Sequence, residues 1–311
     1  MILNKQVIFI LLGLILFHLA FSPDVAAFSE DSKAQFFLEE EKSWRAERDQ
    51  KMRSPTSWLS IAGLFWLQEG ENSFGTDETC DIVLPQNSAR EHTGLFTLTK
   101  GNVFLKAHSG VLLKVNGKIV SKAKLKGDDT GKPDIVEIGD LKMWVINRGD
   151  RYAIRLRDLN HPPLKEYKGL AYFSPERKHK IKADFLAYSE MKTIAVPTMI
   201  GTQAEMTLVG TVRFRLDGQE FQLQAFGDSL DTKTLFFIFK DGTNGHETYD
   251  PGRFLVAAFL ENGKVDLNFN RAYNPPCAYT LYATCPLPSP ENHLSIRIEA
   301  GEKKYSELEH E

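Results

Sequence analysis

Residues 208–225 read LVGTVRFRLDGQEFQLQA and decide the fold class. From Leu208 to Leu216 the apolar side chains fall on every second position, with polar or charged residues between most of them. Alternation with this period is typical of a strand that buries one face. Asp217-Gly218 then marks a turn, and residues 221–225 predict a returning strand. This stretch therefore predicts an antiparallel hairpin.

Two further dipeptides favour the same architecture. Asn116-Gly117 and Asn262-Gly263 each lie between alternating apolar runs, which indicates two more hairpins. After residue 60 no helical period longer than about two turns recurs. The sequence therefore predicts a mainly β chain whose C-terminal half, residues 164–305, forms an antiparallel β-barrel or sandwich domain. Residues 160–164, with Pro162-Pro163, are the candidate linker before it.

Residues 28–57 predict one helix. Ser32-x-x-Gln35 has the spacing of a capping box, and a charged stretch follows it. Phe37 and Trp44 fall on one face, and Ser54-Pro55 ends the stretch. We expect this helix to lie on the surface of the protein.

Residues 1–27 predict a secretory signal peptide. Lys5 precedes an apolar run from Val7 to Phe21, and Val25-Ala26-Ala27 offers small residues for cleavage before Phe28. The alternative is a membrane anchor, but the run is shorter than the roughly 20 residues that cross a bilayer. We therefore expect a secreted or periplasmic protein cleaved after Ala27, with no stable membrane span after cleavage.

Composition excludes several classes of protein. The 311 residues carry 38 Lys and Arg against 41 Asp and Glu, a net charge of −3, and 42% are hydrophobic. These values are ordinary for soluble globular proteins and exclude disordered, collagen-like and coiled-coil chains. A near-neutral chain also lacks the broad basic surface that releases counterions from nucleic acid. We expect no nucleic-acid partner.

About residues 60–150 resemble a forkhead-associated β-sandwich, which predicts a β domain over residues 58–158. Short motifs occur in the order and rough spacing of that family: Phe74-Gly75-Thr76-Asp77, Cys80-Asp81-Ile82-Val83-Leu84-Pro85, Ala89-Arg90-Glu91-His92, Val115-Asn116-Gly117-Lys118-Ile119-Val120 and Ile138-Gly139-Asp140. The resemblance implies a sandwich of two antiparallel sheets in this part of the chain.

The phosphothreonine ligands of that family are replaced here. The resemblance implies an Arg, a Ser and an Asn at positions occupied by Thr76, Ala89 and about Val111. Without them the charge-assisted contacts that a phosphate needs are missing. His92 is either a ligand or, as we prefer, a histidine that braces the loops. We expect the fold to be shared and the phosphopeptide function to be absent.

A second resemblance extends over about residues 40–305. Its motifs are Trp58-Leu59-Ser60-Ile61-Ala62-Gly63, Arg148-Gly149-Asp150-Arg151-Tyr152, Asp241-Gly242-Thr243-Asn244-Gly245-His246 and Asn270-Arg271-Ala272-Tyr273-Asn274-Pro275-Pro276-Cys277. Together these resemble the bacterial and archaeal family known as domain of unknown function 1684. Membership of that family implies no activity.

Polar side chains in the C-terminal half predict a ligand site. Asp266, Asn268 and Asn270 alternate with apolar residues, so on a strand they share one face, and Asn274 follows in the loop. Side-chain amides offer both donors and acceptors to a polar ligand. Arg253, if it faced the same space, could hold a carboxylate or phosphate. The alternative is structural, because such residues also cap turns and brace loops.

The loop at residues 241–249 supplies candidates for catalysis. His246 is the candidate general base, with Asp241 and Tyr249 beside it in sequence. Sequence signatures of known hydrolase, metalloprotease and nucleotide-binding sites are missing. We expect no cofactor and no metal. In the enzyme hypothesis His246 is the base, Asp241 orients it, and Arg253 or the Asn268 and Asn270 amides stabilise developing charge.

The cysteines allow two interpretations. Cys277 and Cys285 lie eight residues apart, and in an oxidising compartment they could form a disulfide. A reduced structural pair is the alternative, and a zinc or catalytic role is the least favoured.

These observations favour one function and leave two others open. The first is an exported protein that binds a small polar or anionic ligand in its C-terminal β domain. The second is a protein-interaction or envelope-scaffold module. The third is a hydrolase-like enzyme that uses His246.

Overall fold

The computed structural model describes residues 29–229, 232–260 and 262–305. Within these ranges the chain is mainly β and begins with one long helix, so the predicted fold class is confirmed. The predicted signal peptide, residues 1–27, lies outside the described residues. Among the helices in the described ranges, none combines the length and apolar character needed to cross a bilayer.

Helix α1 (Glu30–Met52) begins before the predicted capping box. The N-cap is Ser29, whose Oγ accepts a hydrogen bond of 3.2 Å from the backbone N–H of Ser32. Glu30 and Asp31 occupy the first turn, where negative side chains interact favourably with the helix dipole. The predicted capping box at Ser32 is therefore wrong, because the side chain of Ser29 caps the helix by accepting from the N–H of Ser32.

Eleven short strands in the described part of residues 58–158 form two sheets. They are β1 (Ile61–Trp66), β2 (Gly70–Gly75), β3 (Ile82–Val83), β4 (Gly94–Thr99), β5 (Asn102–Ala107), β6 (Leu113–Val115), β7 (Lys118–Val120), β8 (Lys122–Leu125), β9 (Val136–Ile138), β10 (Leu141–Arg148) and β11 (Arg151–Asp158). One sheet has the order β1-β11-β10-β9-β6-β7, and the other has the order β3-β2-β4-β5-β8.

The two sheets enclose one hydrophobic core. Phe74 and Phe96 from one sheet and Met143 and Ile154 from the other are completely buried in it. The predicted hairpin at Asn116-Gly117 joins β6 to β7, and both residues have positive φ angles, 51° and 78°. These angles match the turn type that suits the twist of a two-residue hairpin.

Six strands in the C-terminal half close into an antiparallel barrel. They are β12 (Lys180–Pro197), β13 (Gln203–Leu216), β14 (Gln219–Phe226), β15 (Thr234–Phe239), β16 (Arg253–Phe259) and β17 (Val265–Asn268). Pairing of β12 with β17 closes the barrel, with Lys180 opposite Asn268 and Ala183 opposite Val265. A closed barrel leaves no strand edge open along its circumference.

The barrel interior follows the predicted alternation except at one position. Val212, Phe214 and Leu216 point into the core, as expected. At residues 208–210 the pairing with β14 shifts by one residue, so Val209 enters the core and Leu208 packs in a separate cluster outside it. The expectation that Leu208 shares the face of Val212 is therefore wrong, because a β-bulge interrupts the period.

The predicted linker contains a short helical turn, α2 (Pro162–Lys165). Pro162 occupies its first position, where a fixed φ angle suits a helix and the missing N–H costs nothing. His161 precedes it, and its ring nitrogen Nδ1 lies 2.8 Å from the carbonyl oxygen of Leu59. The junction is therefore fastened to the residues that precede β1.

The sandwich and the C-terminal half are in contact through residues 276–285. Thr280 donates a hydrogen bond of 3.2 Å from Oγ1 to the carbonyl of Ile61 in β1. Arg148, at the end of β10, donates from Nε to Thr284 Oγ1 at 3.2 Å. The segment that follows the Asn-Pro-Pro-Cys motif is thus hydrogen-bonded to β1 and β10 of the first sheet.

Candidate functional site

Arg253 forms a buried ion pair instead of facing a pocket. Its Nη2 donates to Asp241 Oδ2 at 2.5 Å, and both side chains are fully buried. Other N–H groups of its guanidinium donate to the carbonyls of Ile298 and Ala300. Arg253 therefore holds the loop at residue 241 and the chain at residues 298–300 against the end of the barrel.

Asp241 has no capacity left for a catalytic partner. Besides Arg253, its carboxylate accepts hydrogen bonds from the backbone N–H and hydroxyl of Thr243 at 2.8 and 2.7 Å, and from the N–H of Ile298 at 3.2 Å. A buried carboxylate that accepts this many hydrogen bonds is a structural group.

The three predicted catalytic residues do not converge. His246 is exposed, and within the described part of the chain its imidazole makes no hydrogen bond to Asp241 or Tyr249. Tyr249 instead donates from its hydroxyl to the carbonyl of Cys277 at 3.1 Å. A general base needs an orienting partner within hydrogen-bond reach, and this geometry gives His246 none.

The polar residues predicted to form one row make separate hydrogen bonds to different segments of the chain. Asn268 donates from Nδ2 to Glu41 Oε1 at 2.8 Å and accepts from Asn270. Asn270 also binds the backbone of Glu176 in both directions. Asn274 donates to the carbonyl of Lys303 at 2.7 Å. These amides mainly connect segments that are distant in sequence, while Asp266 remains half-exposed.

Arg253 and Asn268 lie on opposite faces of the barrel wall. Leu255 and Ala257, two and four residues after Arg253, point into the core, whereas Val256 and Ala258 point outward. On β17 the core residues are Val265 and Leu267, so Asp266 and Asn268 point outward as well. The single site that the sequence predicted for Arg253, Asp266 and Asn268 is therefore not formed, because the two sets have opposite parity on their strands.

A cleft of about 500 Å³ lies between α1 and the outer face of β15, β16 and β17. We call it the α1 cleft. Three aromatic side chains line it: Trp44 of α1, Trp58 from the turn before β1, and Tyr273 from the chain after β17. All three are half-buried. Its volume lies in the range of small-molecule sites.

Polar groups surround the aromatic rings. The lining includes Glu47, Arg48 and Lys51 from α1, and Asp266 and Arg271 from the barrel side. Within the described residues, neither the Tyr273 hydroxyl nor the indole N–H of Trp44 or Trp58 has a hydrogen-bond partner. The α1 cleft therefore presents donors and acceptors next to apolar ring surfaces.

Two buried carboxylates fix the cationic residues of the α1 cleft. Arg48 donates from Nε to Glu302 Oε1 at 2.7 Å, and Arg271 donates from Nε to Glu41 Oε1 at 3.0 Å. Both carboxylates are fully buried. Burial alone would lower the pKa of Arg48, but the charge of Glu302 and the neighbouring Tyr279 raise it above its ordinary value. Arg48 therefore stays charged and in place.

Glu302 is the point where α1 meets the end of the described chain. Its Oε2 accepts from the Tyr279 hydroxyl and from the backbone N–H of Asn274, both at 2.8 Å. Trp44, Arg48 and Glu302 were not predicted as site residues from the sequence. The signal for the first two was their spacing, since Glu41, Trp44 and Arg48 recur on one face of the helix.

The loops that resemble a phosphothreonine site form a surface cavity of about 770 Å³. Thr76, Ala89, Arg90 and His92 line it together with three acidic residues, Asp77, Glu78 and Glu91. Val111 is not in the lining and packs against the sandwich core. Three carboxylates against one arginine make this cavity unfavourable for a phosphate group.

The cysteines are free thiols in the structure, and all three are buried. Cys277 and Cys285 nevertheless lie side by side, since each backbone N–H donates to the sulfur of the other. Among the described residues, no three His, Cys, Asp or Glu side chains converge in a way that could hold a metal ion.

Comparison with known proteins identifies the second half of the chain. Residues 165–303 match the family model described as "Protein of unknown function (DUF1684)". Residues 165–303 therefore form a DUF1684 domain. The sequence resemblance extended to about residue 40, and the DUF1684 model covers the shorter range. No curated protein matches the chain at a significant level.

Solved structures give further similarities for parts of this chain. An uncharacterised protein from Haloarcula marismortui is 32% identical, with 47% of this chain and 80% of that chain covered and a TM-score of 0.37. The second forkhead-associated domain of an ABC transporter from Mycobacterium tuberculosis is 27% identical, covering 29% and 77%, with a TM-score of 0.23. A forkhead-associated domain studied for phosphothreonine-dependent interactions is 16% identical, covering 30% and 92%, with a TM-score of 0.22.

Proposed function

We propose that this protein is an exported binding protein whose α1 cleft holds a small, neutral, polar ligand that contains a ring, such as a sugar. The observation that carries the proposal is the set of three aromatic side chains beside unpaired hydrogen-bonding groups in one cleft. A flat apolar surface next to a few polar groups is the usual composition of a small-molecule site.

The aromatic residues favour a ligand with a ring face. Trp44, Trp58 and Tyr273 offer large, rigid surfaces, and contacts with such rings stabilise a bound molecule beyond simple burial. Asp266 can accept hydrogen bonds from ligand hydroxyls, because its one ionic neighbour among the described residues, Lys180, is 3.9 Å away. Arg271 retains free N–H groups as donors.

The charges favour a neutral ligand over an anion. Arg48, Lys51 and Arg271 line the α1 cleft opposite Glu47 and Asp266. Two of these cations are already paired with the buried Glu302 and Glu41. Their positive charge is therefore compensated inside the protein, and an anion entering the cleft would meet little net attraction. The sequence predicted a small polar or anionic ligand, and the charges of the α1 cleft favour the polar ligand.

Tryptophan fluorescence tests binding in the α1 cleft directly. The chain has four tryptophans, and in a Trp66→Phe/Trp144→Phe protein Trp44 and Trp58 are the only remaining reporters. We expect glucose, N-acetylglucosamine or maltose to produce a saturable change in emission, while citrate and AMP produce none. If none of the sugars changes the emission, the proposal is wrong.

Substitution at the cleft should weaken that binding. We expect Trp44→Ala to raise the dissociation constant about tenfold, because it removes one stacking surface worth about 1.4 kcal/mol. Phe36→Ala is the matched control, since Phe36 is an exposed aromatic residue of the same helix, 68% accessible, outside the cleft lining. Equal affinities of the two variants would place the binding site elsewhere.

Export is the second part of the proposal, supported by the apolar run that ends before Val25-Ala26-Ala27. When the full chain is made in a Gram-negative host, we expect the protein to be recovered from the periplasm with Phe28 as its first residue. N-terminal sequencing measures this. Retention in the cytoplasm with residues 1–27 still attached would contradict it.

A further inference from the structure

Cys277 and Cys285 form a buried thiol pair outside the α1 cleft. The backbone N–H of Cys277 lies 3.1 Å from the sulfur of Cys285, and the N–H of Cys285 lies 3.3 Å from the sulfur of Cys277. Each sulfur therefore has a hydrogen-bond donor aimed at it, which stabilises negative charge there. These two hydrogen bonds hold the two sulfurs next to each other.

Arg155 of the sandwich domain supplies a positive charge to this pair. It belongs to β11, is only 5% accessible, and forms no ion pair within the described part of the chain. Its one hydrogen bond, 3.4 Å to the carbonyl of Tyr282, is weak, and its Nε has no partner. A buried cation without a counter-charge is unfavourable, so this arrangement calls for an anion nearby.

Three groups that can carry a negative charge interact electrostatically with Arg155. They are Asp128, Cys277 and Cys285, with Arg148 as a repelling cation. Asp128 is already bound to Arg148 at 2.9 Å. Burial, followed by repulsion from Arg148, lowers the pKa of Arg155 to about 10. The thiols are therefore the acidic groups without another partner, and a thiolate would balance Arg155.

Cys277 is the member of the pair that borders a cavity, although only 6% of the residue is accessible. It lines a cavity of about 540 Å³, which we call the thiol cavity, together with Met199, Tyr249, Leu281 and Ala283. Cys285 is not part of this lining. The hydrogen bond from the Cys285 thiol lowers the pKa of Cys277, and the backbone N–H of Cys285 and the charge of Arg155 add to this, while burial opposes it.

We propose that Cys277 and Cys285 are a redox-active dithiol, which exchanges with small disulfides that enter the thiol cavity. The Cys277 thiolate attacks one sulfur of the incoming disulfide, forms a mixed disulfide and releases one thiolate. Cys285 then gives up its proton, which the released thiolate accepts, and attacks the Cys277 sulfur. The second thiolate leaves and takes up from solvent the proton that Cys277 had released, so the protein pair is oxidised and the small disulfide is reduced to two thiols.

The test uses the full chain carrying Cys80→Ser, so that the thiol pair is the only cysteine pair present. The folded protein is incubated with glutathione disulfide, the remaining thiols are alkylated, and peptides are identified by mass spectrometry. We expect a peptide pair linked through Cys277 and Cys285, and we expect reduced glutathione to reverse the link. Failure of the folded protein to form this link overturns the proposal.

A matched pair of variants tests the role of Arg155. We expect Arg155→Met to slow the reaction with glutathione disulfide about tenfold, the change in thiolate fraction given by one pKa unit. Arg157→Met is the control, because Arg157 lies two residues further on the same strand, is partly buried, and packs over Trp144 instead of the thiols. Equal rates in the two variants would overturn the role of Arg155. The glutathione disulfide experiment uses neither of these two substitutions, so it tests the proposal even if Arg155→Met does not fold.

Discussion

An Arg253→Met protein is expected to lose about 3–5 kcal/mol of unfolding free energy, because it leaves Asp241 as a buried carboxylate without its cation. Both partners are fully buried and 2.5 Å apart. The substitution also removes donors from the carbonyls of Ile298 and Ala300. Chemical denaturation followed by circular dichroism measures the loss.

Arg297→Met is the control for this prediction. Arg297 is exposed and pairs with Glu247 and Glu299 at the surface, so its removal is expected to change stability by about 1 kcal/mol or less. The double variant Arg253→Met/Asp241→Asn should lose less than the sum of its single variants, since the stranded charge is removed together with its partner. A loss below about 1 kcal/mol for Arg253→Met would contradict the structural role assigned to the ion pair.

A Glu302→Ala protein is expected to lose about 3 kcal/mol and to release α1 from the barrel. The substitution leaves the Arg48 guanidinium, the Tyr279 hydroxyl and the Asn274 N–H without their shared acceptor. Each unsatisfied buried group is unfavourable by about 1–3 kcal/mol. Limited proteolysis should then cut within residues 30–52, and sugar binding at Trp44 should be lost.

Glu299→Ala is the matched control, because Glu299 is an exposed carboxylate three residues earlier that contacts only Arg297 among the described residues. We expect its stability, its protease pattern and its binding to match those of the parent protein. If α1 in the Glu302→Ala protein resists the protease as well as it does in Glu299→Ala, Glu302 does not hold the helix.

Local chemistry made much of the fold predictable. Asp217-Gly218 and Asn116-Gly117 take the positive φ angles of tight hairpins, and only a few residue types adopt such angles without strain. The bulge at Val209 could not be predicted in this way. It lies beside Gly210, where an added Cβ would come within 2.5 Å of the Phe185 ring, and that contact depends on the neighbouring strand.

The candidate site was less predictable, for two reasons. Arg253, Leu255 and Ala257 are at alternate positions, so on a strand their side chains share one face. The sequence alone could therefore have assigned Arg253 to the barrel interior. The α1 cleft could not be predicted from the sequence, because its walls come from residues 44–58 and residues 234–273. Such a site depends on long-range packing, and periodicity within a segment carries no information about it.

The contact between Arg48 and Glu302 joins residues 254 positions apart. The helix is synthesised first, and the carboxylate that holds it is added 254 residues after Arg48. Closing so long a loop is entropically unfavourable and slow compared with forming a local hairpin. We therefore expect docking of α1 to be a late event in folding, so that a nascent chain shorter than 302 residues has no finished binding cleft.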